Sequence, residues 1–273
     1  MLRRLLHNLR TTPPTSAPNP DKPHVTEADL QDAPWRRHFE ILHGATRIGD
    51  VDYIDLFWRC ANDTDTAIYP HNLFRRAQAG INLARYFLSA LEIDGARAEC
   101  GVYRGMSSLL MCRAAQAVQP GFSGEHMHLF DSFERFSEPT AFDMINSTDE
   151  HGTQTTRRPF PVNSRLNTSL AEVQQALAEF PKLVIRQGWV PQVLEQLPEQ
   201  VWSFVHLDVD LYEPTLGGLE YFYPRLSAGG IIITDDYGTP RYPGARKAWE
   251  KFCTAGNIPY SVFETGQAAI IRS

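Results

Sequence analysis

The sequence predicts an α/β protein built on a mostly parallel β-sheet, with an antiparallel hairpin at its C-terminal end and a helical extension before it. Three observations predict this fold class. From about residue 98 onwards, short apolar runs alternate with stretches of helical period. The last two apolar runs have no helix between them. With 273 residues, of which 42% are hydrophobic, the chain is long enough for one large core.

The N-terminal third divides into two parts by composition. Residues 1–25 are rich in Pro, Thr and Ser, which cannot pack a core, and we expect a disordered tail there. Residues 26–92 are mostly of helical character. Between Phe74 and Leu88, apolar residues recur every three to four positions, which predicts an amphipathic helix. The main domain is expected at residues 93–273.

The main domain is predicted to alternate strands and helices. The apolar runs expected to form strands are Ala98–Tyr103, His126–Phe130, Lys182–Arg186, Trp202–Val209, Gly230–Thr234, Tyr260–Phe263 and Ala268–Ile271. The segments expected to form helices are Ser107–Val118, Ser169–Phe180, Pro191–Leu197, Thr215–Leu226 and Gly244–Cys253. This alternation favours a parallel sheet covered on both faces, and ligands of such sheets bind beyond the carboxyl ends of the strands.

Charge and composition disfavour several partners. The formal net charge of -6 gives no attraction towards a phosphate backbone, so we expect no nucleic-acid partner. No run approaches the roughly 18 apolar residues of a membrane span. The four cysteines lack metal-site spacing and are expected to be reduced thiols of a cytoplasmic protein.

The first candidate site is a glycine turn between the first strand and the next helix. Gly101 and Gly105 let the backbone approach a bulky ligand without an intervening Cβ. Ser107 and Ser108 are expected to cap the helix and to present hydroxyls. The spacing is not G-x-G-x-x-G, so the dinucleotide fingerprint is not met. A turn that serves only packing remains the alternative.

Acidic and aromatic residues end the next two strands. Asp131 stands where an acid commonly binds ribose hydroxyls, although an acid that only caps a loop is the alternative. Glycine turn and acid together favour a nucleoside cofactor that carries either a nicotinamide or a sulfonium. Gln187 and Trp189 are candidates for contacts with adenine, but the Trp can equally be a packing residue. The loops 132–167 and 237–244 lie on the ligand side and are expected to build the acceptor pocket.

Four aspartates form the strongest candidate site. Asp208 and Asp210 share a face if the strand stays extended, and Asp235 and Asp236 end the following strand. If these strands are neighbours, the four carboxylates meet at one edge of the sheet. Because carboxylates held close together repel one another, such a cluster needs either a bound cation or the protonation of one of its members. Oxygen ligands favour Mg²⁺, with Mn²⁺ and Ca²⁺ as alternatives, unless the acids are merely solvated. His206 is expected to be structural more often than catalytic.

Four ordered motifs span the chain from about residue 69 to its end. They are Glu99–Ser108 against E-C-G-V-x-R-G-x-S, Phe130–Glu134 against D-T-F-E, Leu207–Tyr212 against L-D-x-D-x-Y, and Gly229–Ala248 against G-G…D-D-Y with P-G-x-R-x-A. With these motifs the sequence resembles the macrocin O-methyltransferase (TylF-type) family of class I methyltransferases. It departs from the family pattern at Tyr103, Met106 and Arg135, which leaves the details of the acceptor site open.

The resemblance implies S-adenosylmethionine bound at the glycine turn and Asp131, and Mg²⁺ held by Asp208, Asp235 and Asp236. It also implies that the N-terminal helices form a lid and that the acceptor is a sugar or phenol hydroxyl of a natural product. The candidate cofactor-binding residues are Glu99, Gly101, Tyr103, Gly105, Ser107, Ser108, Asp131, Ser132, Gln187, Gly188, Trp189 and Asp208.

The mechanistic hypothesis is methyl transfer to an activated hydroxyl. Asp208 is expected to bind the ion and to be the leading base, with Asp210 a weaker and His206 a still weaker candidate. An NAD-dependent oxidoreductase and a non-catalytic methyltransferase-like binding protein are the alternatives. The missing dinucleotide fingerprint disfavours the first, and the retained acids disfavour the second. The identity of the acceptor and the oligomeric state, including a homo-oligomer, stay open.

Overall fold

The computed structural model describes residues 36–37, 39–40, 47–148, 153–161 and 168–273. The predicted tail at residues 1–25 lies outside the described residues. No helix in the described part of the chain is both long and apolar enough to cross a membrane.

In the described part of the N-terminal region, one short strand pair precedes two helices. Arg47–Ile48 (β1) pairs antiparallel with Val51–Asp52 (β2). Two helices follow, Tyr53–Asp63 (α1) and Leu73–Ser89 (α2). The second agrees with the amphipathic helix predicted at Phe74–Leu88 to within one residue at each end. Its apolar positions are buried because the helical period places them on one side.

A seven-stranded sheet forms the centre of the described chain. The strands that follow β2 in the described chain, inside and outside this sheet, are β3 (Ala96–Cys100), β4 (Met127–Asp131), β5 (Ile145–Thr148), β6 (Gln154–Arg157), β7 (Val184–Gln187), β8 (Trp202–Leu207), β9 (Leu226–Thr234), β10 (Ser261–Val262) and β11 (Ala268–Ile271). The order in the sheet is β10-β11-β9-β8-β3-β4-β7, while β5 and β6 form a separate antiparallel pair. The five strands from β9 to β7 are parallel, β11 pairs antiparallel with β9, and β10 pairs antiparallel with β11. The predicted fold class is confirmed.

In the part of the chain that the structure describes, four further helices lie between the strands. They are α3 (Met106–Val118), α4 (Leu170–Ala176), α5 (Tyr212–Phe222) and α6 (Pro243–Gly256). The helix predicted at Pro191–Leu197 is wrong, because only a three-residue 3₁₀ turn forms there, at Leu194–Gln196. Pro198 directly follows the predicted segment, and helical geometry is disfavoured for a residue that precedes proline.

The two faces of the sheet carry separate apolar cores. Along β8, Phe204 belongs to the core shared with α1, α2 and α3, whereas its neighbour Val205 belongs to the core shared with α5 and α6. This alternation follows from the two-residue period of a strand. The ring of Phe87 on α2 lies 5.2 Å from that of Phe204, edge to face. The N-terminal helices therefore share a core with the sheet, and the domain division at residue 93 stays a prediction.

Candidate functional site

The candidate site lies where the order of the strands reverses. From β3 the chain continues to β4 and β7 on one side of the sheet, and then to β8 and β9 on the other. The ends of β3 and β8 meet there, since the backbone N–H of Asp208 donates to the carbonyl of Cys100 at 2.9 Å. This reversal point is where parallel α/β sheets bind their ligands.

The glycine turn after β3 requires glycine at two positions. Gly101 has φ +87°, which ends the extended backbone earlier than predicted, and a Cβ there would lie 1.8 Å from the carbonyl oxygen of Asp208. Gly105, also at φ +87°, is the N-cap residue of α3. The prediction that Ser107 and Ser108 cap this helix is wrong, because α3 begins at Met106 and both serines lie inside it.

Asp131 holds the glycine turn in place. Its carboxylate accepts backbone N–H groups from Val102 at 2.8 Å, from Tyr103 at 2.9 Å and from Phe133 at 2.7 Å. An ionised carboxylate offers about four acceptor positions, so about one remains for a ribose hydroxyl. The turn and the strand-end acid therefore form one hydrogen-bonded unit.

Two other predicted cofactor-binding side chains are fully buried beneath this turn. Glu99 and Ser108 are both 0% exposed, and the hydroxyl of Ser108 bonds to the carboxylate of Glu99. The other carboxylate oxygen of Glu99 lies 2.9 Å from Nδ1 of His206. These side chains do not face the open edge of the sheet in this structure. Their part in cofactor binding stays a prediction, and their geometry favours an indirect one.

The remaining cofactor candidates surround the turn. Tyr103 is 42% exposed, while Ser107 and Trp189 are half-buried. The amide of Gln187 donates to the carbonyl of Ser132 at 2.9 Å. The backbone of Gly188 donates to the carbonyl of Asp131 at 2.8 Å. The loops after β4 and β7 are thus hydrogen-bonded to each other beside the glycine turn.

The four aspartates lie together at the ends of β8 and β9. These strands are parallel neighbours, with Leu207 opposite Thr234. Two overlapping groups of side chains result, in each of which the candidate ligand atoms lie within 4.8 Å of one another. The groups are His206, Asp208 and Asp235, and Asp208, Asp210 and Asp236. Asp208 is common to both.

The route by which Asp210 joins this cluster differs from the prediction. β8 ends at Leu207, and Asp210 has φ +63°, in the left-handed region. The expectation that Asp208 and Asp210 share a face of an extended strand is therefore wrong. Asp210 is instead held by a turn, since its backbone N–H donates to the carboxylate of Asp236 at 2.8 Å.

Burial and mutual repulsion shift the ionisation of these acids. Burial raises the pKa of Asp208 well above its usual range, and the charges of Asp236 and Asp235 raise it further. Burial and the charge of Asp208 do the same to the pKa of Asp210. The pKa of Asp236 is also well raised, through burial and the charge of Asp210. A bound cation would relieve this repulsion.

His206 is held between two carboxylates. It is 0% exposed, with Nδ1 2.9 Å from Glu99 and Nε2 3.3 Å from Asp235. Burial lowers the pKa of His206, but the hydrogen bonds to Asp235 and Glu99 outweigh burial and raise it well above its ordinary value. For Asp235, burial raises the pKa, but hydrogen bonds from His206 and Gln267 outweigh it and lower it. This geometry does not favour His206 as a base for an external hydroxyl.

Two residues near the carboxylates were missed by the sequence analysis. Arg76, on α2, is half-buried, and although burial lowers the pKa of its guanidinium, the charges of Asp208 and Asp235 oppose that effect. Gln267, just before β11, donates to Asp235 at 2.8 Å. Two features of the sequence could have indicated these residues. They are the paired arginines at the start of an amphipathic helix and the polar residue directly before an apolar strand.

The loop between β4 and α4 is tied to the ligand side of the sheet. Asp143 is fully buried, and its carboxylate accepts the backbone N–H of Tyr212, the first residue of α5, at 2.7 Å. The ring of Phe142 stacks on that of Tyr212 with centroids 4.2 Å apart. Phe136 stacks on Phe160 at 4.4 Å. The described parts of this loop therefore lie on the side where the acceptor pocket is expected; residues 149–152 and 162–167 lie outside the described residues.

The chemistry of the donors fits a divalent cation. Apart from the imidazole of His206, every candidate ligand atom is a carboxylate oxygen, which is the ligand that hard ions prefer. The acids follow two neighbouring strands and form two overlapping groups that share Asp208, but neither group contains both Asp235 and Asp236, so the predicted ligand set of Asp208, Asp235 and Asp236 stays a prediction. The glycine turn lies directly beside them, because Gly101 and Asp208 are in backbone contact.

Comparison with known proteins identifies the family to which the chain belongs. The model of the macrocin-O-methyltransferase (TylF) family matches residues 82–271, more than half of the chain. A relative from Streptomyces olivaceus, the 8-demethyl-8-(2,3-dimethoxy-alpha-L-rhamnosyl)-tetracenomycin-C 4'-O-methyltransferase, is 32% identical over 149 residues, 53% of this chain and 54% of the relative. The mycinamicin III 3''-O-methyltransferase of Micromonospora griseorubida is 28% identical over 58% of this chain and 62% of its own length. The chain thus spans little more than half of these curated relatives.

Solved structures show the same fold. The O-methyltransferase NovP superposes with a TM-score of 0.59 at 21% identity, over 78% of this chain and 87% of its own. The calicheamicin methyltransferase CalS11 gives 0.58 at 20% identity, over 80% and 91%. The resemblance seen in the four motifs and the predicted class I methyltransferase fold are both confirmed. The chain belongs to the macrocin-O-methyltransferase (TylF) family.

Proposed function

We propose that this protein transfers a methyl group from S-adenosylmethionine to a hydroxyl of a small molecule, assisted by a divalent cation. The observation that carries the proposal is the meeting of four aspartates from β8 and β9 beside a glycine turn, at the reversal point of the sheet. Mg²⁺ is the first candidate for the ion, with Mn²⁺ and Ca²⁺ as alternatives. The family match supports methyl transfer to oxygen.

The proposed acceptor is a hydroxyl on a sugar or phenol of a natural product or glycoconjugate. The name of the Streptomyces relative specifies a rhamnosyl-bearing tetracenomycin. In this chain, Phe136 and Phe160 stack on the ligand side, and Tyr242 lies with its ring 6.4 Å from that of Phe136. Aromatic faces of this kind pack well against the apolar face of a sugar or against a phenol ring.

The cofactor is proposed to bind between the glycine turn and the loops after β4 and β7. Gly101 and Gly105 leave room for it, and the remaining acceptor position of Asp131 is suited to a ribose hydroxyl. The adenine is proposed to lie near Gln187, which is exposed, and Trp189, which is half-buried. Tyr103 is exposed at the tip of the turn.

The proposed reaction is an in-line displacement. The acceptor oxygen bonds to the methyl carbon as the carbon–sulfur bond breaks, which releases S-adenosylhomocysteine, and the hydroxyl proton passes to a carboxylate. Asp208, Asp235 and Asp236 are proposed to hold the cation, which when bound lowers the proton affinity of the acceptor hydroxyl. A carboxylate that adjoins the cation can take the hydroxyl proton, so Asp208, which belongs to both groups of candidate ligand atoms, is the leading candidate for the base and Asp210 is the second.

Two other functions have less support. An NAD-dependent oxidoreductase would leave the carboxylate cluster unexplained, and the family match does not favour it. A non-catalytic protein would have no need for four acids whose burial and repulsion are unfavourable without a cation. A cytoplasmic location and a homo-oligomeric state stay predictions.

The test is turnover with the full chain. Purified protein is incubated with S-adenosylmethionine and a panel of rhamnosylated and phenolic acceptors, and release of S-adenosylhomocysteine is followed. We expect turnover that is lost with EDTA and restored by Mg²⁺. Calorimetry with S-adenosylmethionine and with NAD is the parallel measurement. Binding of NAD alone would overturn the proposal, and turnover unaffected by EDTA would overturn the role of the cation.

A further inference from the structure

Gln267 is a fully buried amide whose hydrogen-bonding groups all have partners. Its Nε2 donates to Oδ1 of Asp235 at 2.8 Å and to the carbonyl of Ala79 at 3.1 Å. Its Oε1 accepts from the amide of Asn82 at 3.1 Å and from the hydroxyl of Thr265 at 2.9 Å. The side chain is 0% exposed. It therefore joins β11 and helix α2 to one of the site's carboxylates.

These partners determine which way the amide faces. Asn82 and Thr265 offer donors to the oxygen, whereas Asp235 and Ala79 offer acceptors to the nitrogen. With the amide reversed, its oxygen would lie against a carboxylate and a carbonyl, neither of which has a hydrogen to donate, so at least these two contacts would be mismatched. The carboxylate of Asp235 and the carbonyl of Ala79 thus fix the nitrogen of the Gln267 amide, and not its oxygen, on their side.

The same oxygen of Asp235 has a second partner. Oδ1 also lies 3.3 Å from Nε2 of His206, whose other ring nitrogen is held by Glu99. Two partners on Oδ1 fix the rotation of the carboxylate and leave Oδ2 for a ligand. Replacing a side chain that orients a metal ligand in this way typically weakens metal binding by about 10- to 100-fold.

We propose that Gln267 is a positioning residue, which orients Asp235 towards the divalent cation and couples helix α2 to that site. The proposal rests on the cation site of the proposed function and adds to it a link between two regions of the chain. The link runs from Ala79 and Asn82 on α2, through Gln267, to Asp235. Because coupling between two sites is reciprocal, binding of the cation should also stabilise α2.

The test compares Mn²⁺ binding by the full chain before and after Gln267→Met, which keeps the length of the side chain but removes its amide. Mn²⁺ binding is followed by electron paramagnetic resonance, and S-adenosylmethionine binding by calorimetry. We expect Mn²⁺ to bind about 10- to 100-fold more weakly, with little change for S-adenosylmethionine. Saturating Mg²⁺ should restore part of the lost turnover, which a general loss of folding would not allow.

Two further variants separate positioning from stability. Ser203→Ala removes a buried hydroxyl from the opposite end of the sheet, where it contacts the carbonyls of Gly95 and Ala96, and should leave Mn²⁺ affinity unchanged. Asn82→Leu removes one donor to Gln267 but keeps the contact with Asp235, and should weaken Mn²⁺ binding less than Gln267→Met does. In the wild type, Mn²⁺ should slow amide hydrogen exchange in α2, and Gln267→Met should remove that effect.

The outcomes distinguish this inference from the proposed function. A wild-type protein that binds no Mn²⁺ overturns both. A wild type that binds Mn²⁺, beside a folded Gln267→Met variant of equal affinity, overturns only the role of Gln267. If Gln267→Met does not fold, unchanged Mn²⁺ affinity in Asn82→Leu overturns the inference.

Discussion

Asp131 and the aspartates that follow β8 and β9 lie at the same edge of one sheet, but their charges are accommodated differently. Asp131 accepts three backbone N–H groups, two of them from the glycine turn. Asp208, Asp210 and Asp236 instead face one another, with candidate ligand atoms within 4.8 Å. The charge of Asp131 is therefore stabilised by fixed backbone donors, whereas the charges of Asp208, Asp210 and Asp236 repel one another.

The difference teaches how to separate structural from ion-binding acids on one sheet edge. Backbone donors cannot leave, so the bonds of Asp131 stabilise the turn under all conditions in which the carboxylate is ionised. Facing carboxylates are stable only with a proton or a cation between them. We therefore expect changes at Asp131 to affect folding and cofactor binding, and changes in the cluster to affect the cation and turnover.

The largest expected effect is that of Asp208→Asn on turnover. The amide cannot take the hydroxyl proton and is a weaker ligand, so kcat should fall by about 10²- to 10⁴-fold or more. Affinity for S-adenosylmethionine should fall far less than turnover, because the glycine turn is intact. Release of S-adenosylhomocysteine and calorimetry measure the two quantities. Near-normal turnover in this variant would show that Asp208 is neither base nor essential ligand.

A smaller effect is expected from Asp131→Asn. The new NH₂ group faces backbone N–H donors, so the free energy of unfolding should fall by about 1–3 kcal/mol and S-adenosylmethionine should bind more weakly. Asp143→Asn is the matched control, because the Asp143 carboxylate likewise accepts several hydrogen bonds, but from Tyr212 and Thr140 rather than from the glycine turn. The control should lose stability without losing cofactor affinity. Denaturant unfolding and calorimetry check both, and equal cofactor affinity in the two variants would contradict the assignment of Asp131.

The smallest expected effect is the pH dependence of stability without metal. Because the pKa values of Asp208, Asp210 and Asp236 are raised, the folded protein holds their protons more firmly than the unfolded chain. Stability from this source is complete below the ordinary pKa of 3.8 and is lost as the pH rises through the raised values. The raised pKa of His206 acts in the same direction, above its ordinary 6.5. Unfolding of the EDTA-treated protein should therefore become easier towards neutral pH.

Asp236→Asn is the most direct test of the repulsion between the clustered carboxylates. The amide oxygen can still accept the N–H of Asp210, but the charge is gone. At pH 7 the metal-free variant should be more stable than the wild type by on the order of 1 kcal/mol, whereas added Mg²⁺ should no longer stabilise it. Thermal unfolding with EDTA and with Mg²⁺ measures both. A metal-free variant less stable than the wild type would contradict the view that repulsion dominates this cluster.

The sequence alone determined the fold class, the location of the candidate site and the family resemblance. These follow from local patterns: the period of α2, the alternation of strands and helices, and acids placed directly after two consecutive strands. Consecutive parallel strands are usually neighbours, so the meeting of Asp208 with Asp235 and Asp236 could be predicted before any coordinates were known.

Only the tertiary structure decided how the side chains are connected. The left-handed turn at Asp210, the burial of Glu99 and Ser108 and the partners of Gln267 depend on contacts between distant parts of the chain. Asn82 and Gln267, for example, are 185 positions apart. Sequence periodicity reports which face of an element is buried, but a hydrogen bond depends on the packing of both elements that carry it.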